Sequence, residues 1–252
     1  MEDDANTINM KLFPNRAHPP PVKAWDVPIT KIKFSSVMDD TWDLTMKKVI
    51  KHVDGIRDVR RIAHDADVAL DLTKNALQHL LYYDAILILD MFMFGNIYAP
   101  TPDIHDFISN RDNLQDECAN YVFINGPRLE VFFLHRLFTS LCTSRTLKEW
   151  LKLHMDQGFM VMDHIDVRRF IQFGVIKGLI YRVHKFAVSA QHLELVFKDD
   201  AATNVTGDIL EKYLDGCHTF DQIMVERNMG DEKIMDHLRK KHRKRGVDII
   251  YR

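Results

Sequence analysis

Cysteine and histidine are the residues best suited to metal binding or nucleophilic chemistry, and in this sequence they meet at Cys217-His218. Neighbouring side chains diverge along a backbone, and no second Cys/His pair supplies the spacing of a zinc module. His64-Asp65 has the composition of a general base with an orienting carboxylate, but no nucleophile lies near it in sequence. We therefore interpret Cys217 as a small buried hydrophobe and expect no metal ligand.

Two acidic pairs, Asp39-Asp40 and Asp199-Asp200, have the residue types of general acid–base catalysis. Paired carboxylates at loop edges are more often solvated surface or helix caps. The chain also lacks the patterns of a phosphate-binding loop, a dinucleotide-binding turn, a nucleophile elbow and a zinc-protease helix. The residues thus predict no catalytic site, no cofactor and no small-molecule substrate.

The composition is that of an ordinary folded chain. Of its 252 residues 46% are hydrophobic and 28% are charged, and the net charge is −2. This balance gives no overall attraction to nucleic acid or to an anionic membrane. The 3 cysteines are far apart, which suits a reducing compartment, and no hydrophobic signal segment follows Met1. We expect a soluble, cytosolic protein.

Residues 1–36 are predicted to form an extended, proline-rich arm rather than part of a core. Most of the 8 prolines of the chain lie there, and proline fixes φ and removes a backbone donor. Trp25, within this arm, is a candidate anchor on the surface of another protein.

Residues 37–102 have the order of elements of a winged helix. Apolar residues at helical spacing predict three helices between Thr41 and Leu81. The β-rich runs AILILDMFMF and NIYAP flank Gly95-Asn96, which predicts a hairpin turn.

The same order recurs in residues 103–200 and, shortened, in residues 201–252. Helices are predicted for residues 103–124, for residues 128–141, and over TLKEWLKLH and DVRRFIQFGVIKG, before a strand LIYRVHKFAV. Gly178 is placed to cap the last of these helices. The sequence therefore predicts a mostly α fold with small β hairpins, an α+β fold of tandem winged-helix-like modules.

Two Asp-Gly pairs support an internal repeat. Asp54-Gly55 and Asp215-Gly216 are followed at equal spacings by an isoleucine and then a leucine. The matched residues are Ile62 and Leu77 in the first copy, and Ile223 and Leu238 in the last. Such equal spacing is typical of a repeated unit, and paired helices also generate it by coincidence.

A winged helix binds DNA through basic residues that neutralise phosphates. The recognition helix predicted for the first module begins among Asp65, Asp67 and Asp71, whose carboxylates would repel phosphates. The first module is therefore a poor candidate for reading DNA. The second module is more basic, but its cations alternate with Asp163 and Asp166.

The basic run of residues 239–245 suits a nuclear signal, a contact with RNA or phospholipid, or an exposed helix end and wing. No aromatic residue interrupts the run, so stacking on bases has no support. Six aromatic and methionine residues elsewhere suit an ordinary core for the most part, and packing against another protein for the rest: Phe92, Met93, Phe94, Phe132, Phe133 and Phe138. Two functions remain open, a protein-binding scaffold and a nuclear, nucleic-acid-binding winged-helix protein.

Five stretches, in this order, carry a family resemblance: VDGIRDVRRIAHDADV, QHLLYYDAI, NIYAPTP, RRFIQFGVIKGLIYRVHKF and LDGCHTFDQI. They resemble the nitrogen permease regulator 2-like proteins from about Pro19 to the last predicted strand. The resemblance implies a subunit of the GATOR complex, which activates GTP hydrolysis by Rag GTPases and restrains TOR signalling during amino-acid starvation.

The resemblance covers the C-terminal part of the family. It implies an N-terminal longin domain with an arginine finger, for which we find no counterpart before Pro19. We expect a truncated member, an incomplete gene model or a natural short form, and we assign the finger's role to no arginine here.

The implied partners are the permease regulator 3-like subunit and the DEP-domain subunit, with Rag GTPases reached through the complex. The implied location is cytoplasmic, at the surface of the lysosomal or vacuolar membrane. Nucleic acid is not an expected partner. We predict Trp25, Arg168, Arg169 and Lys177 as partner contacts.

Overall fold

Short helices and small sheets make up the structure, a computed structural model that describes residues 2–3, 6–7, 17–124, 130–189, 209–242 and 247–252. The chain divides into two compact units, Met1–Ile88 and Leu89–Arg252. The predicted α+β character is confirmed. No helix in the described ranges is both long and apolar enough to cross a membrane.

In the first unit, the residues that the structure describes form three helices and two pairs of strands. Its elements are β1 (Glu2–Asp3), β2 (Asn6–Thr7), β3 (Val27–Thr30), α1 (Leu44–Ile50), α2 (Val59–Asp65), α3 (Leu70–Tyr82) and β4 (Ile86–Leu89). Strand β1 pairs with β2, and β3 pairs with β4. The three helices confirm those predicted from apolar spacing.

The prediction that residues 1–36 stay outside a core is wrong for residues 22 to 34. Val22, Val27 and Phe34 are buried, and Val22 and Phe34 belong to the same hydrophobic cluster as helices α1 to α3. The backbone N–H groups of Val59 and Arg60, which have no partner inside α2, donate to carbonyls of this segment at 3.0 Å. The segment therefore completes both the core and the start of a helix.

The second unit begins with β5 and contains most of the helices. Its elements are β5 (Ile97–Pro100), α4 (Ile104–Ile108), α5 (Leu114–Val122), α6 (Val131–Thr139), α7 (Leu147–Asp156), α8 (Val161–His164), α9 (Val167–Ile176), β6 (Ile180–Val183), β7 (Lys185–Ser189), β8 (Asp215–Thr219), α10 (Phe220–Arg227), α11 (Asp231–His242) and β9 (Val247–Tyr251). Single 3-10 turns occur at Phe34–Ser36, Arg111–Asn113 and Glu211–Tyr213.

The hairpin predicted around Gly95-Asn96 is wrong. Strand β4 pairs with β3, whereas β5 pairs antiparallel with β6, from Ile97 opposite Val183 to Pro100 opposite Ile180. The Asn96 side chain donates to the Met91 carbonyl at 2.8 Å, and this bond closes residues 91–96 into a loop. The two β-rich runs therefore enter different sheets.

The strand predicted over LIYRVHKFAV is divided at His184. Its first part, β6, pairs with β5, and its second part, β7, is the central strand of a sheet with β8 and β9 on either side. Both neighbours run antiparallel to β7. One continuous stretch of chain therefore contributes to two sheets.

The prediction of a single helix from Asp103 to Ile124 is wrong in the middle of this range. Helices α4 and α5 are separated by a 3-10 turn at which Asn110, Asp112 and Asn113 have φ of 53°, 53° and 60°. Asparagine and aspartate tolerate this left-handed region better than other residues with a β-carbon. The turn interrupts the helix where apolar spacing alone suggested continuity.

The described residues bury three separate hydrophobic clusters. One lies in the first unit, a second extends from Tyr98 to Ile180, and a third combines Ala187 with residues 210–238. Gly178 follows α9 with φ of 71°, as expected of a helix cap. The division into modules at residues 37–102, 103–200 and 201–252 stays a prediction.

Candidate functional site

The cysteine–histidine pair lies in strand β8, where the side chain of Asp215 closes a local turn. The Asp215 carboxylate accepts the backbone N–H groups of Cys217 and His218 at 2.9 and 3.3 Å, and the His218 ring lies 2.8 Å from it. These bonds hold the pKa of Asp215 below its usual value against the opposing effect of its partial burial. Cys217 is exposed, so its interpretation as a buried hydrophobe is wrong. The turn leaves its side chain facing solvent.

His64 and Asp65 belong to a group of ion pairs at the surface. The imidazole Nδ1 lies 3.3 Å from the Asp65 carboxylate, and Arg57 and Arg61 lie 3.2 and 3.1 Å from the same group. The contacts with His64 and Arg61 lower the pKa of Asp65. The carboxylate is thus occupied by arginines, and the His64 side chain is 82% exposed.

The first acidic pair closes a turn, because Asp39 accepts the backbone N–H and the hydroxyl of Thr41. Interpretations that fall outside the described residues are the pair Asp199-Asp200, the helix stop at residues 125–127, and residues 243–245 of the basic run. Within the described part of that run, Arg239 and Lys240 are exposed at the end of α11.

Asp90, His184 and Asp221 bring three potential metal ligands within 4.8 Å of one another in the second unit. The two oxygens of Asp221, however, accept from the Arg182 guanidinium at 2.5 and 2.7 Å. The Arg182 and Asp221 side chains are 6% and 4% exposed. The arginine already supplies the positive charge that the carboxylate requires, so we assign a buried ion pair here.

The basic residues predicted as partner contacts are paired within the chain. Asp166, the N-cap of α9, lies 3.7 Å from both the Arg168 and the Arg169 guanidinium groups. At the other end of the same helix, Lys177 lies 2.8 Å from Glu117. These pairings reduce the positive potential that would attract a phosphate backbone.

Trp25, the remaining predicted contact, belongs to the first unit. Its ring is partly buried, and the Lys23 ammonium lies 5.6 Å from the ring centroid. The structure therefore groups Arg168 with Arg169 around one carboxylate, and it places Lys177 and Trp25 elsewhere.

The first unit has an apolar groove that was not predicted from the sequence, which we call the aromatic groove. It has a volume of about 480 Å³ and is lined chiefly by Ile32, Val37, Trp42, Met46 and Tyr83. Val37 and Tyr83 are 52% and 48% exposed. Tryptophan and tyrosine are the residues that most often dominate protein interfaces. The lining comes from two segments that are far apart in sequence, residues 32–46 and 79–85, so no local sequence pattern predicts it.

A second groove, which we call the methionine groove, lies in the second unit between α7 and α8. Its volume is about 560 Å³, and it exposes Met155, Met160 and Met162. Methionine side chains are flexible and polarisable, and they adapt to partners of varied shape. Lys148, Leu151, Lys152 and Met155 follow the spacing of one helix face, a signal that was present in the sequence.

Charges paired within the chain and apolar grooves open to solvent are typical of protein-binding modules. Comparison with known proteins gives the family. The family model described as "Nitrogen permease regulator 2" matches residues 1–132 and 128–242, and the chain belongs to this family.

Curated relatives agree with this assignment. "Nitrogen permease regulator 2 homolog" of Schizosaccharomyces pombe is 38% identical over 88% of this chain and 53% of its own length. "GATOR complex protein NPRL2" of Drosophila melanogaster is 30% identical over 73% of this chain and 43% of its own. "Nitrogen permease regulator 2" of Saccharomyces cerevisiae is 30% identical over 48% of this chain and 20% of its own. The chain spans about half the length, or less, of these relatives.

Proposed function

We propose that this chain is a non-catalytic, protein-binding subunit of a GATOR-type complex. The observation that carries the proposal is its 30% identity, over 73% of its length, to a Drosophila protein named for that complex. The grooves support it, because each unit exposes apolar side chains of the types that form interface cores.

The partners follow from the family resemblance. We propose that the chain binds the permease regulator 3-like subunit directly, and that the DEP-domain subunit and the Rag GTPases are reached through the assembled complex. The role of the complex would be to promote GTP hydrolysis by Rag GTPases and to restrain TOR signalling. The chain would then lie in the cytoplasm, at the surface of the lysosome or vacuole.

Arg168, Arg169 and Lys177 stay candidates for contact with a partner. An arginine that lies 3.7 Å from Asp166 is held loosely and is partly exposed, so a partner carboxylate can share it. Their pairing within the chain weakens the alternative of nucleic-acid binding, which requires free positive charge.

The proposal is tested by co-expression with a tagged permease regulator 3-like subunit from the same organism. We expect the two chains to co-purify through size-exclusion chromatography, and we expect Arg168→Glu/Arg169→Glu to weaken the association. The matched control is Arg239→Glu/Lys240→Glu, which reverses two exposed charges on α11. Failure of the unmodified chain to co-purify would overturn the proposed function. Equal recovery of both variants would remove Arg168 and Arg169 from the contact.

A further inference from the structure

The methionine groove is built on a firmly held helix. Helix α7 begins at a capping box, in which the Thr146 hydroxyl accepts the backbone N–H of Glu149, and the Glu149 carboxylate accepts the N–H of Thr146 at 2.9 Å. One side of α7 is anchored in the core by Leu147, Trp150 and His154. Its outer side is therefore presented to solvent in a fixed orientation.

The outer side of α7 carries an i, i+3, i+4, i+7 stripe, which forms one wall of the groove. The stripe consists of Lys148, Leu151, Lys152 and Met155. The 10 residues of α7 extend about 15 Å. The groove beside α7 therefore has the length of roughly three turns of a second helix.

The opposite wall comes from α8 and the residue before it. Met160 and Met162 are 50% and 58% exposed, whereas Val161 is buried and forms the floor. Met155, on the first wall, is 49% exposed. An apolar trough between two walls of flexible side chains fits the apolar face of an amphipathic helix.

The charges of the two walls differ. Lys148 and Lys152 are exposed, lie one helical turn apart, and have no carboxylate partner within the described residues. Glu149 is occupied at the start of α7, because its carboxylate lies 3.0 Å from the Thr146 hydroxyl. Asp163 stands on the opposite wall. Because the charge of Glu149 is held at the start of α7, this wall keeps one net positive charge, and its two lysines favour acidic side chains beside them.

We infer that the methionine groove binds an amphipathic helix of a partner subunit whose acidic side chains lie along the flank that faces Lys148 and Lys152. The inference rests on the proposed function and deepens it by naming the kind of segment that a partner supplies. Apolar residues of the bound helix fill the trough, and its carboxylates fix the direction in which it lies.

The test uses two fluorescein-labelled peptides with the same leucines at alternating spacings of three and four residues. One peptide carries glutamates beside the leucines, and the other carries lysines there. In fluorescence anisotropy titrations we expect the chain to bind the glutamate peptide roughly tenfold more tightly, since two surface ion pairs replace two repulsions. The difference is expected to shrink at high salt.

Variants locate the site. Lys148→Glu/Lys152→Glu is expected to invert the preference between the two peptides. Lys148→Gln/Lys152→Gln is expected to bring the ratio of their affinities close to one. Lys233→Glu/Lys240→Glu, two exposed positions of α11 with the same change in net charge, is expected to leave it unchanged. Met162→Asp weakens the binding of both peptides, while circular dichroism shows the fold retained.

The inference is overturned if neither peptide binds saturably at about 1 mM, or if the charge reversal at α7 has no more effect than the reversal at α11. This outcome is distinct from failure of the proposed function. Loss of co-purification refutes membership of the complex, whereas loss of peptide discrimination refutes only the assignment of this groove.

Discussion

The buried ion pair of Arg182 and Asp221 gives the sharpest prediction of stability. Asp221→Asn keeps the shape of the side chain and removes its charge, so the buried Arg182 guanidinium loses the carboxylate that accepts from both of its terminal nitrogens and keeps only the charge of Asp90 nearby. The guanidinium would keep its contacts of 3.1 Å with the Met91 carbonyl and 3.0 Å with Asn96. Neither contact supplies negative charge.

The expected loss is large because the two side chains are only 6% and 4% exposed. Removing one partner of such a pair costs about 3–5 kcal/mol of unfolding free energy. In a unit of this size that loss lowers the melting temperature by roughly 10 °C. Removing both charges, as in Arg182→Met/Asp221→Leu, leaves no buried charge and is expected to cost only about 1–2 kcal/mol.

A chain of two compact units need not unfold in a single step, so the assay must report on the second unit alone. Trp150 is buried there, whereas the other tryptophans, Trp25 and Trp42, lie in the first unit. In a Trp25→Phe/Trp42→Phe background, fluorescence during urea unfolding therefore follows the second unit.

A matched control is the more exposed pair of Lys185 and Asp231, whose atoms are 2.9 Å apart. Asp231→Asn is expected to cost no more than about 1 kcal/mol. The reasoning fails if Asp221→Asn costs no more than this control. It also fails if the double variant loses as much stability as the sum of its two single variants.

Three further changes have definite outcomes. Gly174→Ala places a methyl group 2.8 Å from side chains of the core and should cost about 1–3 kcal/mol, whereas Gly230→Ala, with open space, should be close to neutral in thermal melting. Burial lowers the pKa of His154 below 6.5. The contribution of the neutral ring to the free energy of unfolding is therefore fully present above about pH 6.5 and is lost as the pH falls. His154→Asn is expected to flatten this dependence of stability on pH, whereas His105→Gln, at an exposed position, is not. Burial raises the pKa of the Cys118 thiol, so iodoacetamide should modify it only in urea.

Each of these expectations can fail visibly. Equal melting temperatures for the two glycine variants would show that the core around α9 can accommodate an additional methyl group. A slope with pH that persists in His154→Asn would assign the acid sensitivity to other groups. Rapid alkylation of Cys118 in the native chain would show that α5 opens readily.

Local signals in the sequence located much of the fold correctly. The two Asp-Gly pairs are an example, because Gly55 and Gly216 both have φ of 74°, and each preceding aspartate accepts the backbone N–H groups of the two residues that follow the glycine. The residues matched downstream are buried in both copies: Ile62, Leu77, Ile223 and Leu238. Turn chemistry and helical periodicity depend on neighbouring residues, so one sequence is enough to detect them.

Long-range partners could not be found in this way. Strand β4 and strand β5 have equally β-rich sequences, and nothing in either indicates that its partner lies elsewhere. Nothing in the sequence around Arg182 indicates that its counter-ion, Asp221, lies 39 residues further along the chain. The grooves are likewise products of tertiary packing, although the stripe on α7 was visible beforehand.

The division of one stretch of chain between two sheets has a consequence for how this protein can change. Val183 and Lys185 face partners in different sheets with His184 alone between them. Side chains alternate between the two faces of a strand, so one inserted residue there would move every later side chain of β7 to the opposite face of its sheet. We expect natural and engineered insertions to avoid residues 180–189, because the fixed length of this stretch sets the spacing between two hydrophobic clusters.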